Sequence, residues 1–277
     1  LSVRASYGLG GNSPTSTMGG PYNILTPGTP YQNMATGVTY YINSPANDKI
    51  HWEKTSTANV GLDFAMFRHR LYGSVDIYKK HTTDLLDKKD LDSTTGFTSV
   101  TSNVGAISNN GVELTLGGTI IRKGFFMWDA SMNFTYNNNK VESIWHTPYS
   151  KASEVLNQQY VEGYPMRPVF AYTWGGLDPE KGTPRIINKD GDIYAGSNST
   201  LTNEDVKYLG TTIPPYFGSA NTSFRYKGLS LSMMFVYNFG HKIYNFSGLR
   251  LSSLGAFPTY NVLKTAPELG VYNAQHT

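Results

Sequence analysis

Oxygen-bearing side chains suited to a cation come closest together at Asn188-Lys-Asp-Gly-Asp192, with a glycine between the two acids. That alternation opens a calcium loop, whose twelfth position must be a bidentate glutamate. Counted from Asn188, position twelve is Ser199, so the pattern breaks and the segment reads as an Asx/Gly turn in an outward loop. The six histidines (51, 69, 81, 146, 241 and 276) include no HExxH and no close pair, so no metal site is expected from them. The sequence has no GxSxG elbow, phosphate-binding loop or dinucleotide fingerprint. Nothing in the spacing of Ser, His and Asp asks for a catalytic triad. The residues therefore predict no catalytic group, no cofactor and no metal.

What remains is recognition chemistry. Tyr22, Tyr31, Tyr40, Tyr41, Trp145 and Tyr149 fall in segments read as outward loops. An aromatic face there can stack on a sugar ring, and Trp145, Tyr149, Tyr40 and Tyr41 are the candidate substrate contacts. Lys79-Lys-His81 and Lys88-Lys89 lie beside Asp84, Asp87, Asp90 and Asp92. This mixed-charge stretch reads as a solvated loop surface in preference to a docking patch. Asp63, Asp76, Glu113 and Asp129 sit on the polar side of alternating segments. They are tolerable facing a lumen and costly facing lipid, so they set the direction of a sheet more than they mark a binding site.

The elements that must position these groups are strands. Val60, Leu62, Phe64 and Met66 alternate with Asn59, Gly61, Asp63 and Ala65. The same period of two runs through Leu1–Gly10, 71–79, 112–120 and 126–136, and Phe224 and Tyr226 precede a last alternating run over 229–239. Segments of about ten residues exceed the usual five to six of a soluble strand and match a tilted membrane strand. Phe67–Arg70, Arg122–Gly124 and Lys227–Gly228 are short connections. Gly10–Ser56, Lys80–Asn109, Asn137–Pro165 and Lys189–Pro215 are long. Short turns on the periplasmic side and long loops outward give that alternation in a barrel. Phe170, Tyr172 and Trp174 suggest one further wall strand, and Asp178-Pro-Glu-Lys-Gly182 its short turn, for about nine strands in all. Aromatics at segment ends (Phe125, Phe126, Tyr136, Tyr172, Trp174, Tyr226, Tyr237 and Phe239) are expected to form interfacial girdles.

Composition agrees with this reading. Of 277 residues only 16% are charged, against about 25% in a soluble domain. Tyr (20), Phe (13) and Gly (28) are abundant, and Cys is absent. No run approaches the roughly 18 apolar residues of a membrane helix, which leaves a barrel open. The net charge of +3 comes from scattered Lys and Arg and gives no support to a nucleic-acid partner. Leu1–Gly10 already alternates, so no signal sequence is read at the start, and the chain is expected to be part of a longer protein.

Several segments together resemble the SusC/RagA family of TonB-dependent transporters. They are His51-Trp-Glu-Lys-Thr55, Asn59-Val-Gly-Leu-Asp-Phe64, Arg70-Leu-Tyr-Gly-Ser-Val-Asp-Ile-Tyr78 and Thr83-Asp-Leu-Leu86. Ser102-Asn-Val-Gly105 with Asn110-Gly-Val-Glu-Leu114 is the most distinctive. Glu162-Gly-Tyr-Pro165, Trp174-Gly-Gly-Leu-Asp-Pro179, Lys189-Asp-Gly-Asp-Ile193, Tyr208-Leu-Gly210, Ile213-Pro-Pro-Tyr216 and Phe224-Arg-Tyr-Lys-Gly-Leu-Ser-Leu231 follow in order. The resemblance implies an all-β antiparallel transmembrane wall, part of a 22-stranded barrel in the bacterial outer membrane. It also implies a plug, a TonB-contacting N-terminal region, a SusD-like surface lipoprotein lid, and oligosaccharide or peptide cargo. Residues 1–277 are read as one segment of that barrel, without the plug or the final strands. A passive porin and a soluble all-β carbohydrate-binding or adhesive module stay open as alternatives to an active importer.

Overall fold

The computed structural model describes residues 1–15, 20–28, 39–145, 149–156, 158–178, 180, 184–195, 201–252 and 264. In chain order its strands are β1 (Ser2–Asn12), β2 (Ile24–Gly28), β3 (Thr39–Ser44), β4 (Glu53–Met66) and β5 (Leu71–Asp90). There follow β6 (Ser99–Lys123), β7 (Phe126–Ser143), β8 (Pro168–Leu177), β9 (Pro184–Ile187) and β10 (Ile193–Ala195). The last are β11 (Val206–Thr211), β12 (Tyr216–Tyr226) and β13 (Leu229–Phe239); α1 (Ala152–Val155) and α2 (Phe246–Ser252) are short helices. Seven strands make one sheet in the order β1-β4-β5-β6-β7-β12-β13, with every neighbouring pair antiparallel.

The register turns the alternation into two continuous faces. One cross-strand row is Ala5, Val60, Ile77, Val112, Tyr136, Tyr216 and Phe239. The next is Val3, Leu62, Val75, Leu114, Phe134, Gly218 and Tyr237. This face is apolar yet exposed: Val60 is 56% and Phe235 59% accessible. In water an apolar area spanning seven strands would be a severe liability, whereas against lipid it is the required surface. Along β12 the face runs from Tyr216 to Tyr226, eleven residues, whose ten steps of about 3.4 Å span roughly 34 Å. A tilt of about 40° reduces this to roughly 26 Å, which matches an apolar band about 25 Å tall.

Aromatics close both edges of that band. Tyr216 stacks between Tyr136 and Phe239, each 5.0 Å away by ring centroid, at the loop end. Trp128 and Phe224 stack at 5.5 Å toward the short turns. The apolar face stops at the row Ala58, Lys79, Asn110 and Asn138.

Three expectations from the sequence are corrected. The wall has seven strands among the described residues instead of about nine, because β8 and β9 belong to a separate sheet ordered β10-β9-β8-β11. Tyr172 and Trp174 therefore lie in that small sheet and not in a girdle. Its strands of three to ten residues are mostly too short to span, and Phe170 and Val206 are buried locally together with Ala152, Val155 and Leu201. The stretch Lys80–Asn109, expected as a loop, is mostly strand. β5 reaches 20 residues and β6 reaches 25, and their turn is narrow, with Leu91 N–H donating to the Thr98 carbonyl at 3.0 Å. A solvated two-stranded ribbon keeps its backbone ladder outside the membrane, and alternating Lys, Asp and Thr side chains suit both of its wet faces.

The chain divides into two compact units. The first is 1–148, 159–166 and 214–240, and contains the wall. The second is 149–158, 167–213 and 241–277. Within the second, Ala152 N–H donates to the Leu201 carbonyl at 3.1 Å and Asn203 N–H to the Ser150 carbonyl at 3.1 Å. Asp205, 8% exposed, accepts from the Lys189 and Thr202 N–H groups at 3.0 and 2.7 Å and from the Thr202 hydroxyl at 2.9 Å. Those bonds, that of Lys189 foremost, hold its carboxyl below the ordinary range.

Candidate functional site

The second face of the wall is largely hydrophilic. One of its rows is Arg4, Gly61, Asp76, Glu113, Thr135, Phe217 and Asn238. Arg4 forks onto Asp63 at 2.7 and 3.1 Å and onto Asp76 at 2.9 Å, and Asn59 donates to Asp76 at 3.1 Å. Farther along, Arg225 and the Thr119 hydroxyl meet Asp129 at 2.9 and 2.7 Å. The acids expected on the polar side are there, on the face opposite the lipid rows. Met127, Phe217, Met234 and Val236 also occupy this face, so it is less uniformly polar than the alternation suggested.

Small residues on that face make room for long ones. A Cβ added at Gly111 would lie 2.5 Å from the Tyr136 carbonyl oxygen and would run into the Tyr78 ring. Tyr78, Gly111 and Asn137 share one row, and the Tyr78 hydroxyl crosses the glycine to donate to Asn137 Oδ1 at 2.9 Å. The Asn110-Gly-Val-Glu-Leu114 segment thus has a packing reason for its glycine.

The ordered sequence segments converge at the loop end of β4, β5 and β6. Asn103 Oδ1 accepts from the His51 N–H at 2.9 Å, while its amide donates to the His51 and Asp84 carbonyls at 2.8 and 2.7 Å. Glu53 accepts from the Leu86 N–H at 3.0 Å and from the Asn12 amide at 2.9 Å. Lys54 Nζ lies 3.0 Å from Asp84, and His51 Nε2 lies 3.6 Å from it. Lys54 foremost, with His51, holds the Asp84 carboxyl below its usual range. Asp84 has φ +59° at a break in the β5–β6 register, and a Cβ on Gly105 would come 3.1 Å from the Leu85 Cβ. His51, Glu53, Lys54, Asp84 and Asn103 therefore form one clasp, and it anchors the outward β5–β6 ribbon where the ribbon leaves the membrane. Sequence reasoning found these segments but not their meeting, because Asn103 and His51 lie 52 residues apart.

On the far side of the ribbon, His81 Nε2 lies 2.8 Å from Glu142. The Glu162-Gly-Tyr-Pro165 segment pairs with β7: Val141 N–H donates to the Tyr164 carbonyl and Gly163 N–H to the Val141 carbonyl, both at 2.9 Å. Met166 N–H adds a bond to Asn139 Oδ1 at 2.7 Å, and Val141 is fully buried.

The candidate contact residues do not form one cluster. Tyr40 and Tyr41 adjoin on β3, so they point to opposite sides of the β2–β3 hairpin, and both are exposed. Trp145, 51% exposed, follows β7, and Lys89 Nζ lies 4.2 Å from its ring centroid. Tyr149 is half-buried in the second unit, and Tyr22 is exposed. Tyr31 lies outside the described residues. At the calcium-like loop, Asn188 Oδ1 accepts from the Asp190 and Asp192 N–H groups at 3.0 and 2.8 Å, and Gly191 has φ +90°. The side chain that would open a metal loop closes an Asx turn instead.

A sheet with one lipid-compatible face, one hydrophilic face, short turns at one end and long connections at the other is the wall of an outer-membrane β-barrel. Residues 1–239 match the model of the family described as TonB dependent receptor-like, beta-barrel, and the chain belongs to that family. It is similar to TonB-dependent receptor P39 of Formosa agariphila, 28% identical over 88% of this chain and 27% of that protein. It is also similar to TonB-dependent receptor SusC of Bacteroides thetaiotaomicron, 31% identical over 52% of this chain and 15% of that one. Among solved structures, the RagAB peptide transporter matches at TM-score 0.69 and 26% identity, over 86% of this chain and 26% of the other. The chain is thus SusC/RagA-like, and it spans about a quarter of the length of the Formosa relative and of the RagAB chain.

Proposed function

We propose that this chain is a barrel segment of an active outer-membrane nutrient importer that takes up oligosaccharides or peptides. The observation that carries the reading is the clasp of His51, Glu53, Lys54, Asp84 and Asn103, which stiffens a long ribbon beyond the lipid band. Such a ribbon is positioned to meet a SusD-like lipoprotein lid, and the hydrophilic inner face suits a lumen that holds a plug. Energy would come through TonB acting on the N-terminal region of the whole protein. The chain's part is binding and positioning, with no covalent step. Trp145 is the best-placed cargo contact of the four candidates, because Lys89 lies over its ring and about half of the residue stays exposed to meet a sugar ring or an apolar side chain.

The test is uptake of labelled glycan and peptide mixtures by cells carrying the full-length gene, with and without TonB. Import that requires both proteins supports the reading. Equal entry without TonB would make the protein a passive pore. Trp145→Ala with unchanged cargo affinity would remove that residue from the contact set.

A further inference from the structure

The three short turns share one end of the sheet, and their charge is one-sided. Arg68 and Arg70 lie at the β4–β5 turn, Arg122 and Lys123 at the β6–β7 turn and Lys227 at the β12–β13 turn, all five exposed. The turns contain no Asp or Glu. The acids closest to them along the strands, Asp63 and Asp129, lie on the hydrophilic face and are bonded to Arg4 and Arg225.

Three of the cations adjoin the lipid face. Lys123 stands in the last lipid-side row, with Phe126, Tyr226 and Leu229. Lys227 follows Tyr226 directly, and its ammonium lies 5.5 Å from that ring's centroid. Arg70 borders an apolar groove of about 570 Å³ on the same face. Leu71, Ile120, Trp128 and Phe235 line the groove, and the small side chains of Gly118 and Ala130 leave its depth. The Trp128 indole N–H is already satisfied by the Thr222 hydroxyl at 2.8 Å, so the groove asks for no water. Arg70, Lys123 and Lys227 make no ion pair among the described residues.

We propose that this end of the wall binds an anionic phospholipid of the inner leaflet, its charged head on the cationic rim that Arg70, Lys123 and Lys227 supply along the turns and one acyl chain in the groove that Arg70 borders. The proposal rests on the barrel-wall assignment, which places short turns on the periplasmic side. A soluble acidic partner would need the cations but not the groove, and a neutral lipid the groove but not the cations. Both features, side by side on a lipid-facing surface, select a lipid with a charged head. Each Lys or Arg near an anionic lipid surface is worth about fivefold in binding.

The test uses the full-length protein in mild detergent, with native mass spectrometry after addition of phosphatidylglycerol, phosphatidylcholine or glycerol 3-phosphate. Folding is checked separately by heat-modifiable gel mobility, which reads the barrel independently of lipid retention. The wild type should retain phosphatidylglycerol at least tenfold over phosphatidylcholine, with no uptake of glycerol 3-phosphate. R70Q/K123Q/K227Q should lose that preference by at least tenfold while still folding. A130L, which fills the groove, should lower retention of both lipids. R122Q, on the other face, should change neither. Equal retention of the two lipids by the wild type, an unchanged preference in the triple variant, or glycerol 3-phosphate binding as well as lipid would each overturn the proposal.

Discussion

Asn103→Ala tests whether the clasp holds the outward ribbon. The substitution removes three hydrogen bonds of 2.7–2.9 Å, two with the His51 backbone and one with the Asp84 carbonyl. A net hydrogen bond contributes about 0.5–1.5 kcal/mol, and the two to His51 lie at an exposed position, so the lower half of that range applies to them. The sum is about 2 kcal/mol, equivalent to roughly a 30-fold increase in local opening. The wall below the clasp keeps its ladder, so the effect is confined to the ribbon. Hydrogen exchange followed by mass spectrometry on the full-length protein reads this directly. Peptides covering 83–90 and 99–107 should exchange roughly 30-fold faster in the variant, and peptides covering 112–118 and 130–136 at the wild-type rate. Asn103→Asp keeps the acceptor for His51 N–H but sets a carboxylate against two carbonyl oxygens, so it should open the ribbon at least as much. A change under threefold in the ribbon would refute the clasp. Equal acceleration across the wall would show that Asn103 supports the barrel as a whole instead.

Other consequences follow from the same geometry. Gly111→Ala places a Cβ against the Tyr136 carbonyl and the Tyr78 ring and should cost about 1–3 kcal/mol in a urea titration of folding into bilayers. Tyr78→Phe, which loses only the bond to Asn137, should cost about 1 kcal/mol by the same measurement. Met132→Arg puts a charge on the mid-strand lipid row with Leu116, Ala220 and Phe235, and should cost about 2–4 kcal/mol. Ser131→Arg, one residue along on the hydrophilic face, should cost under about 1 kcal/mol; equal costs would mean the faces are assigned wrongly. Asp205 is more acidic in the folded unit, so its stabilisation is complete above about pH 4, the unfolded value, and is lost as pH falls through the depressed folded value. Exchange protection of 201–211 should accordingly hold from pH 5 to 8 and fall below pH 4, and Asp205→Asn should flatten that dependence; unchanged acid sensitivity in the variant would place its origin elsewhere.

The amino-acid sequence by itself determined the strands of the wall, the identity of its two faces and the family. Side chains alternate along a strand whatever surrounds it, so Val60 to Met66 and Phe126 to Tyr136 declare their faces without a structure. The short turns at 67–70 and 227–228 were legible for the same reason, since they interrupt a period of two, and the one read at 122–124 falls at 124–125 because β6 runs on to Lys123. Candidate contacts were legible only as residue types: the fold separates Tyr40 from Tyr41 across a hairpin and brings Lys89 to Trp145, which no local spacing foretells.

Only the tertiary structure decided what lies against each alternating face. Phe170, Tyr172 and Trp174 alternate as a membrane strand does, yet Phe170 is covered by its own small unit instead of lipid, because lipid and a local apolar core demand the same side chains. The β5–β6 ribbon was hidden for the converse reason, its charged residues satisfying water on both sides while the backbone ladder continued. The clasp required three segments far apart in sequence to meet, and backbone groups at His51 and Asp84 carry most of Asn103's bonds. Bonds to backbone leave almost no trace in side-chain identity, so that site could be assembled only by the fold.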